Sequence, residues 1–113
     1  MDLAEAVFQV TLNFPRAETY GLRSQLRRAS ASVPSNIAEG HSRGTTREFV
    51  RFLRIARGSL AETMTLLELS RRVGFIEAGE DQAFHRDIDR VGAMLTRLLQ
   101  VMETRSNNCD RRP

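Results

Sequence analysis

Apolar residues recur at spacings of three and four in four separate segments of this chain, and no segment shows the alternation expected of a β-strand. Such spacing places the apolar side chains on one face of an α-helix. Pro15 ends the first segment, the connector 41–44 separates the second from the third, and Gly74 ends the third. The pattern therefore predicts an all-α fold, an antiparallel up-down-up-down four-helix bundle with short connections.

The predicted helices span about 2–14, 18–39, 45–73 and 80–103, in one bundle domain of residues 1–105 followed by a flexible tail, 106–113. Gly40 fits the position just after the second helix, and Thr45 or Thr46 fits the N-cap of the third. The first helix is the shortest, so part of its neighbours would be left uncovered. Either another subunit covers that gap or the natural start lies upstream of Met1.

The segment 29–40, ASASVPSNIAEG, places a proline inside a helical pattern. Pro34 cannot donate to the carbonyl of Ser30, and its ring crowds that carbonyl, at a cost of roughly 3 kcal/mol in a helix interior. Nearby serine hydroxyls can bond neighbouring backbone groups in a kinked but continuous helix. The alternative is a break, with Ser35 or Asn36 capping a new helix. The apolar period is in phase on both sides of the proline, which favours the continuous helix.

A second face of this helix carries only small side chains, and it lies nearly opposite the apolar stripe. Small side chains allow another backbone to approach closely, although a solvent-facing helix can carry them as well. The residues of this face are Ser24, Ala31, Ser35 and Ala38.

All seventeen basic residues are arginines, and their distribution is uneven. Residues 16–57 hold nine arginines and three glutamates, a local net charge of +6, whereas residues 58–110 have a net charge of −3. Arginine makes paired hydrogen bonds with phosphate, so a cluster of this kind suits a nucleic-acid backbone. The alternative is an ordinary solvated face. The candidate phosphate-binding residues are Arg23, Arg27, Arg28, Arg43, Arg47, Arg51 and Arg54.

Several other kinds of site lack their sequence signatures. The single cysteine, Cys109, lies in the polar tail and excludes an internal disulfide; we expect a free, exposed thiol. No histidine pair or carboxylate–histidine motif has metal-ligand spacing, so we expect neither a metal nor another cofactor. No long apolar run and no secretory signal are present, which predicts a cytoplasmic protein without a membrane partner.

Two carboxylates near the predicted interior, Glu39 and Glu62, are candidates for catalysis or for ion pairs. Glu39 lies four residues before Arg43, and Glu62 lies within reach of Arg57 or of Arg28 across the bundle. We interpret both as ion-pair partners, and we expect no enzymatic activity.

Two long strings, QLRRASASVPSNIAEGHSRGTTREF and FLRIARGSLAETMTLLELSRRVGF, resemble the small four-helix-bundle proteins encoded in intervening sequences of bacterial 23S rRNA genes. The accessory variability proteins of diversity-generating retroelements are related to that family. The resemblance implies a homopentameric barrel and, from the retroelement relatives, binding to nucleic acid and association with a reverse transcriptase. Carried over by position, it implies architectural or assembly roles for Pro34, Asn36, Glu39, Gly40, Arg57, Gly58 and Glu62.

The leading hypothesis from the sequence is a non-enzymatic, homo-oligomeric accessory protein that binds structured RNA or DNA. The alternative is a protein–protein scaffold in which the basic middle of one subunit contacts the acidic later half of its neighbour.

Overall fold

The computed structural model describes residues 2–16, 21–77 and 79–110, and within them it contains four α-helices and no strand. The helices are α1 (Asp2–Thr11), α2 (Leu22–Ser42), α3 (Thr46–Arg72) and α4 (Glu80–Asp110). The all-α prediction is therefore confirmed. The predicted start of the second helix near residue 18 lies outside the described residues, and so does the side chain of Cys109, expected to carry a free thiol.

Each helix packs against its neighbours in sequence, and α1 also contacts α4. Along α2 and α3, Gly40 lies against Phe52, Ser32 bonds Ser59, and Arg28 pairs with Glu62. Residues nearer the N-terminal end of α2 therefore contact residues nearer the C-terminal end of α3. The enclosed core includes side chains from all four helices, with Val7, Leu26, Leu53, Ala56 and Leu95 fully buried.

The first helix ends at Thr11, three residues before the predicted end. The backbone then continues to Phe14 in turns in which each N–H bonds the carbonyl three residues back. Pro15 disfavours helical geometry at Phe14, which explains why the regular helix cannot continue. The ring of Phe14 packs against that of Phe75, with ring centroids 5.3 Å apart, and closes this end of the bundle.

The prediction that Gly40 lies outside the second helix was wrong, because α2 continues through Gly40 to Ser42. A Cβ placed on Gly40 would lie 2.6 Å from Cβ of Phe52, so the missing side chain allows α3 to approach here. The residue that follows the helix with a positive φ is Gly44, at +83°. Thr45 then caps α3 by accepting from the N–H of Glu48, as predicted.

The fourth helix runs through residues 106–110, which the sequence assigned to a flexible tail; the tail boundary at 106 was therefore wrong. With 31 residues, α4 is about 46 Å long, whereas α1, with 10 residues, is about 15 Å long. Met94 lies beside the first turn of α1, and Val101, two turns further along α4, remains exposed. The short first helix thus leaves apolar surface of α4 uncovered, as the sequence predicted.

Candidate nucleic-acid interface

Two of the seven candidate arginines hold the end of α1. Arg23 donates to the carbonyl of Phe14 at 2.7 Å, and its Nε is buried without a hydrogen-bond partner among the described residues. Arg27 donates from Nε to Oγ1 of Thr11 at 2.8 Å, and its guanidinium lies 3.8 Å from the ring centre of Phe8. These contacts engage both side chains within the fold, and the predicted contact of Arg23 and Arg27 with phosphate stays a prediction.

Thr11 is the residue that sequence reasoning missed in this contact. Its side chain is fully buried and donates to the carbonyl of Val7 at 2.8 Å while it accepts from Arg27. A threonine one turn after Val7 on an apolar stripe is the signal that could have found it, because a buried hydroxyl needs a polar partner.

Arg28 lies on the exposed side of α2 and pairs with Glu62 of α3 at 2.8 Å. One turn further along, Oγ of Ser32 lies 2.9 Å from Oγ of Ser59 and accepts from Nδ2 of Asn36 at 2.8 Å. These polar bonds join α2 to α3 at the edge of the core. Two arginines were predicted as partners of Glu62. Glu62 pairs with Arg28, and Arg57 is exposed.

Pro34 lies inside an uninterrupted α2, so the continuous helix is found and the break is not. Ser35 Oγ donates to the carbonyl of Ala31 at 2.8 Å, and Asn36 Nδ2 donates to that of Ser32 at 2.7 Å. Both bonds span Pro34, because the side-chain donors follow it and the backbone carbonyls that accept precede it. The small face opposite the apolar stripe is exposed in the chain: Ser24, Ala31, Ser35 and Ala38.

The remaining candidates gather where α2 passes into α3. Arg43 pairs with Glu39 at 2.8 Å, as the four-residue spacing predicts. The guanidinium carbons of Arg43 and Arg51 lie 5.2 and 4.8 Å from the ring centre of Phe52, so this one buried ring orients both cations. Phe52 itself is held against Gly40.

Along α3, Arg47, Arg51 and Arg54 form one wall of an open groove of about 630 Å³. The last turns of α4 form the opposite wall, where Glu103 pairs with Arg54 at 3.3 Å. Arg51 also pairs with Glu48 at 3.1 Å. We name this the α3–α4 groove; its lining residues are Arg47, Glu48, Val50, Arg51, Arg54, Ile55, Glu103, Ser106 and Asn107.

In each of these ion pairs at least one side chain is exposed to solvent, which limits the contribution of the pair to stability. Arg28 and Glu62, for example, expose 64% and 41% of their side chains. Pairs of this kind contribute about 0–1 kcal/mol each, because water and salt screen them. The glutamates therefore hold these arginines only weakly.

At the C-terminal end of α3, one carboxylate accepts hydrogen bonds from two arginines. Glu68 accepts from Arg71 at 2.7 Å and from Arg72 at 3.0 Å, and hydrogen bonds from these guanidiniums lower the pKa of Glu68 to about 2. Arg71 also lies 3.5 Å from Asp81 at the start of α4. These contacts link the end of α3 to the beginning of α4.

Within the described residues, no three His, Cys, Asp or Glu side chains come together as a metal site would require. None of the four helices is long and apolar enough to span a membrane.

Residues 1–97 match the protein family described as 23S rRNA-intervening sequence protein. This chain belongs to that family. The match to the 23S rRNA-intervening sequence family covers α1, α2, α3 and more than half of α4. The recognition made from the two sequence strings is confirmed.

A solved structure from Bacteroides thetaiotaomicron, a protein of unknown function from the S23 ribosomal protein family at 1.70 Å resolution, has the same fold. It superposes with a TM-score of 0.76 at 21% sequence identity, over 87% of this chain and 92% of the other. At that identity the likeness establishes the fold of this member of the 23S rRNA-intervening sequence family. The sequence has no significant match among curated proteins.

Proposed function

We propose that this member of the 23S rRNA-intervening sequence family is a non-enzymatic, homo-oligomeric accessory protein that binds RNA or DNA through phosphate contacts. The observation that carries the proposal is the group of exposed arginines at the α2–α3 connection and along α3: Arg43, Arg47, Arg51 and Arg54. Arg28, exposed on α2, extends the same basic part of the chain. Guanidinium groups in such a row can each contact a successive phosphate.

The proposed assembly is a homopentamer of antiparallel up-down-up-down bundles in the cytoplasm. The opposed order of contacts along α2 and α3 supports the antiparallel arrangement. Exposed apolar side chains on α4, Met94 and Val101, support contact with a second copy. The subunit number comes from the sequence resemblance.

The test is a titration of a structured RNA across a salt series. Wild-type affinity should fall steeply with salt, and Arg47→Ala, Arg51→Ala and Arg54→Ala together should lower the slope of log K against log salt by roughly 2 to 3 if each arginine contacts one phosphate. A matched triple variant, Arg86→Ala, Arg90→Ala and Arg97→Ala, removes equal charge from exposed positions on α4. Binding that does not respond to salt, or that weakens equally in both triple variants, would contradict the proposal.

A scaffold function is the second candidate, and the Arg54–Glu103 pair favours it. That pair joins the basic middle of the chain to its acidic later half, and the same charges on two subunits can pair in the same way. Sedimentation in low and high salt without nucleic acid separates the two ideas. A scaffold held by charge should dissociate in high salt, whereas an oligomer held by apolar contact should not.

A further inference from the structure

The α3–α4 groove places neutral hydrogen-bonding side chains opposite a row of arginines. Ser106 and Asn107 lie on the last turns of α4, and the groove's other wall carries Arg47, Arg51 and Arg54 of α3. A serine hydroxyl and an asparagine amide both donate hydrogen bonds, and neither adds a negative charge that would repel an anion. The sequence alone assigned both residues to a tail and gave them no function.

We propose that the α3–α4 groove is the site that holds the nucleic-acid backbone, with Ser106 and Asn107 of α4 as positioning donors and Glu103 as an internal competitor for the phosphate. The proposal rests on the function proposed above and deepens it, because it assigns the contact to one groove. It also adds α4 to an interface that the sequence confined to α2, α3 and their connection.

The role of Glu103 follows from the geometry of its ion pair. Its oxygen lies 3.3 Å from Arg54, longer than the 2.7–2.9 Å typical of a strong charge-assisted hydrogen bond. Both side chains are exposed, so the pair is weak and exchanges readily with solvent. A phosphodiester oxygen placed in the groove takes the position of this carboxylate and leaves Glu103 to water.

The groove also has an apolar part that suits a sugar-phosphate chain. Val50 and Ile55 line it between the charged residues, and 43% of Ile55 is exposed. Exposed apolar surface beside arginines can contact the carbon atoms of a ribose, while the guanidiniums bind the phosphates on either side. The groove therefore offers the alternation of charge and apolar surface that a nucleic-acid backbone presents.

The first test removes the charge of Glu103, the proposed competitor for phosphate. Glu103→Gln keeps the shape of the side chain and removes its charge, so a short RNA hairpin should bind about 3- to 10-fold more tightly. The matched control is Glu5→Gln, an equal charge change on α1, a helix that does not contact α3. At physiological salt the Debye length is about 8 Å, so the control should change affinity less than about 2-fold.

The second test changes a donor. Asn107→Asp adds a negative charge opposite the arginines and should weaken RNA binding by at least about 10-fold, because the new carboxylate repels the phosphate. Asn13→Asp is the matched control; it follows α1 at the end of the bundle closed by Phe14 and Phe75. Ser106→Ala should weaken binding about 2- to 10-fold without changing the salt slope, because the lost group is neutral.

The results separate this inference from the function on which it rests. If the triple arginine variant loses RNA binding while Glu103→Gln and Asn107→Asp match their controls, the α4 wall of the groove takes no part in binding; this inference is then overturned and the proposed function stands. If wild-type protein does not bind the hairpin at all, both proposals are overturned. Running RNA and DNA hairpins of one sequence in parallel shows which backbone the groove prefers, and equal affinity is the result expected of phosphate contacts alone.

Discussion

Gly40 of α2 lies so close to Phe52 of α3 that a Cβ on the glycine would be 2.6 Å from Cβ of the phenylalanine. Phe52 Cβ is attached directly to the α3 backbone, so it cannot move aside without shifting the helix. The same phenylalanine ring lies beneath Arg43 and Arg51. Close packing of two helices and placement of two surface cations therefore depend on one missing side chain.

The first prediction concerns this contact. Gly40→Ala should destabilise the chain by up to about 2 kcal/mol, because overpacking costs about 1–3 kcal/mol and the helix-propensity gain offsets only about 1 kcal/mol of it. Chemical unfolding measures the change. Gly58→Ala is the control: Gly58 is exposed within α3 with nothing near its missing Cβ, so this variant should gain about 0.5–1 kcal/mol. Equal effects of the two substitutions would show that the packing argument is wrong.

The second prediction separates two adjacent arginines. Arg27→Ala should lower the free energy of unfolding by about 2–3 kcal/mol, because Thr11 loses its charged donor and Phe8 loses its cation. Arg28→Ala removes an exposed pair with Glu62 and should cost about 0–1 kcal/mol. Thermal or urea unfolding of the two variants gives the comparison. A larger loss from Arg28→Ala would mean that Arg27 does not secure α1.

The third prediction concerns Pro34, which lies within a continuous α2. Pro34→Ala restores a helical N–H and should leave the helix content unchanged or slightly higher by circular dichroism. We expect the oligomer mass measured by sedimentation to fall, because the shape of α2 at the proline was predicted to serve assembly. An unchanged mass together with unchanged RNA affinity would make the proline incidental.

The fourth prediction concerns pH. The pKa of Glu68 is lowered from an ordinary value of 4.5 to about 2 by hydrogen bonds from Arg71 and Arg72. A lowered folded-state pKa stabilises the fold fully above pH 4.5, and that stabilisation is lost as pH falls through about 2. Glu68→Gln should therefore lower Tm at neutral pH and have little effect near pH 2. With Glu77→Gln as the exposed control, a Tm difference that persists in acid would contradict the assignment.

Helix number and type were predictable from the sequence because apolar spacing and capping chemistry are local. The N-cap at Thr45 and the stop at Gly74 follow from residues within one turn. The prediction for Gly40 was wrong because the glycine is needed for close contact with Phe52, twelve residues away on another helix, and not to end α2. A glycine at a helix end and a glycine under a neighbouring helix look the same in sequence.

The candidate interface was only partly predictable for the same reason. Spacing along α3 placed Arg47, Arg51 and Arg54 on one exposed face. Nothing in the local pattern distinguishes those side chains from Arg27, which bonds the last residue of α1, or from Arg23, which bonds the turn after it. Nor does it bring Glu103 to Arg54, because that contact depends on how far α4 extends beside α3.

The short first helix has a consequence for how the chain opens. A helix of 10 residues is marginal in water by itself, and α1 contacts only α2 and α4. Hydrogen bonds from Arg23 and Arg27 of α2 hold the C-terminal end of α1 in place. Leu3 and Val7 of α1 are buried in the core. Its amides should exchange hydrogen through a partial opening well before those of α3, so that the chain behaves as a cooperative three-helix unit with one separately opening helix.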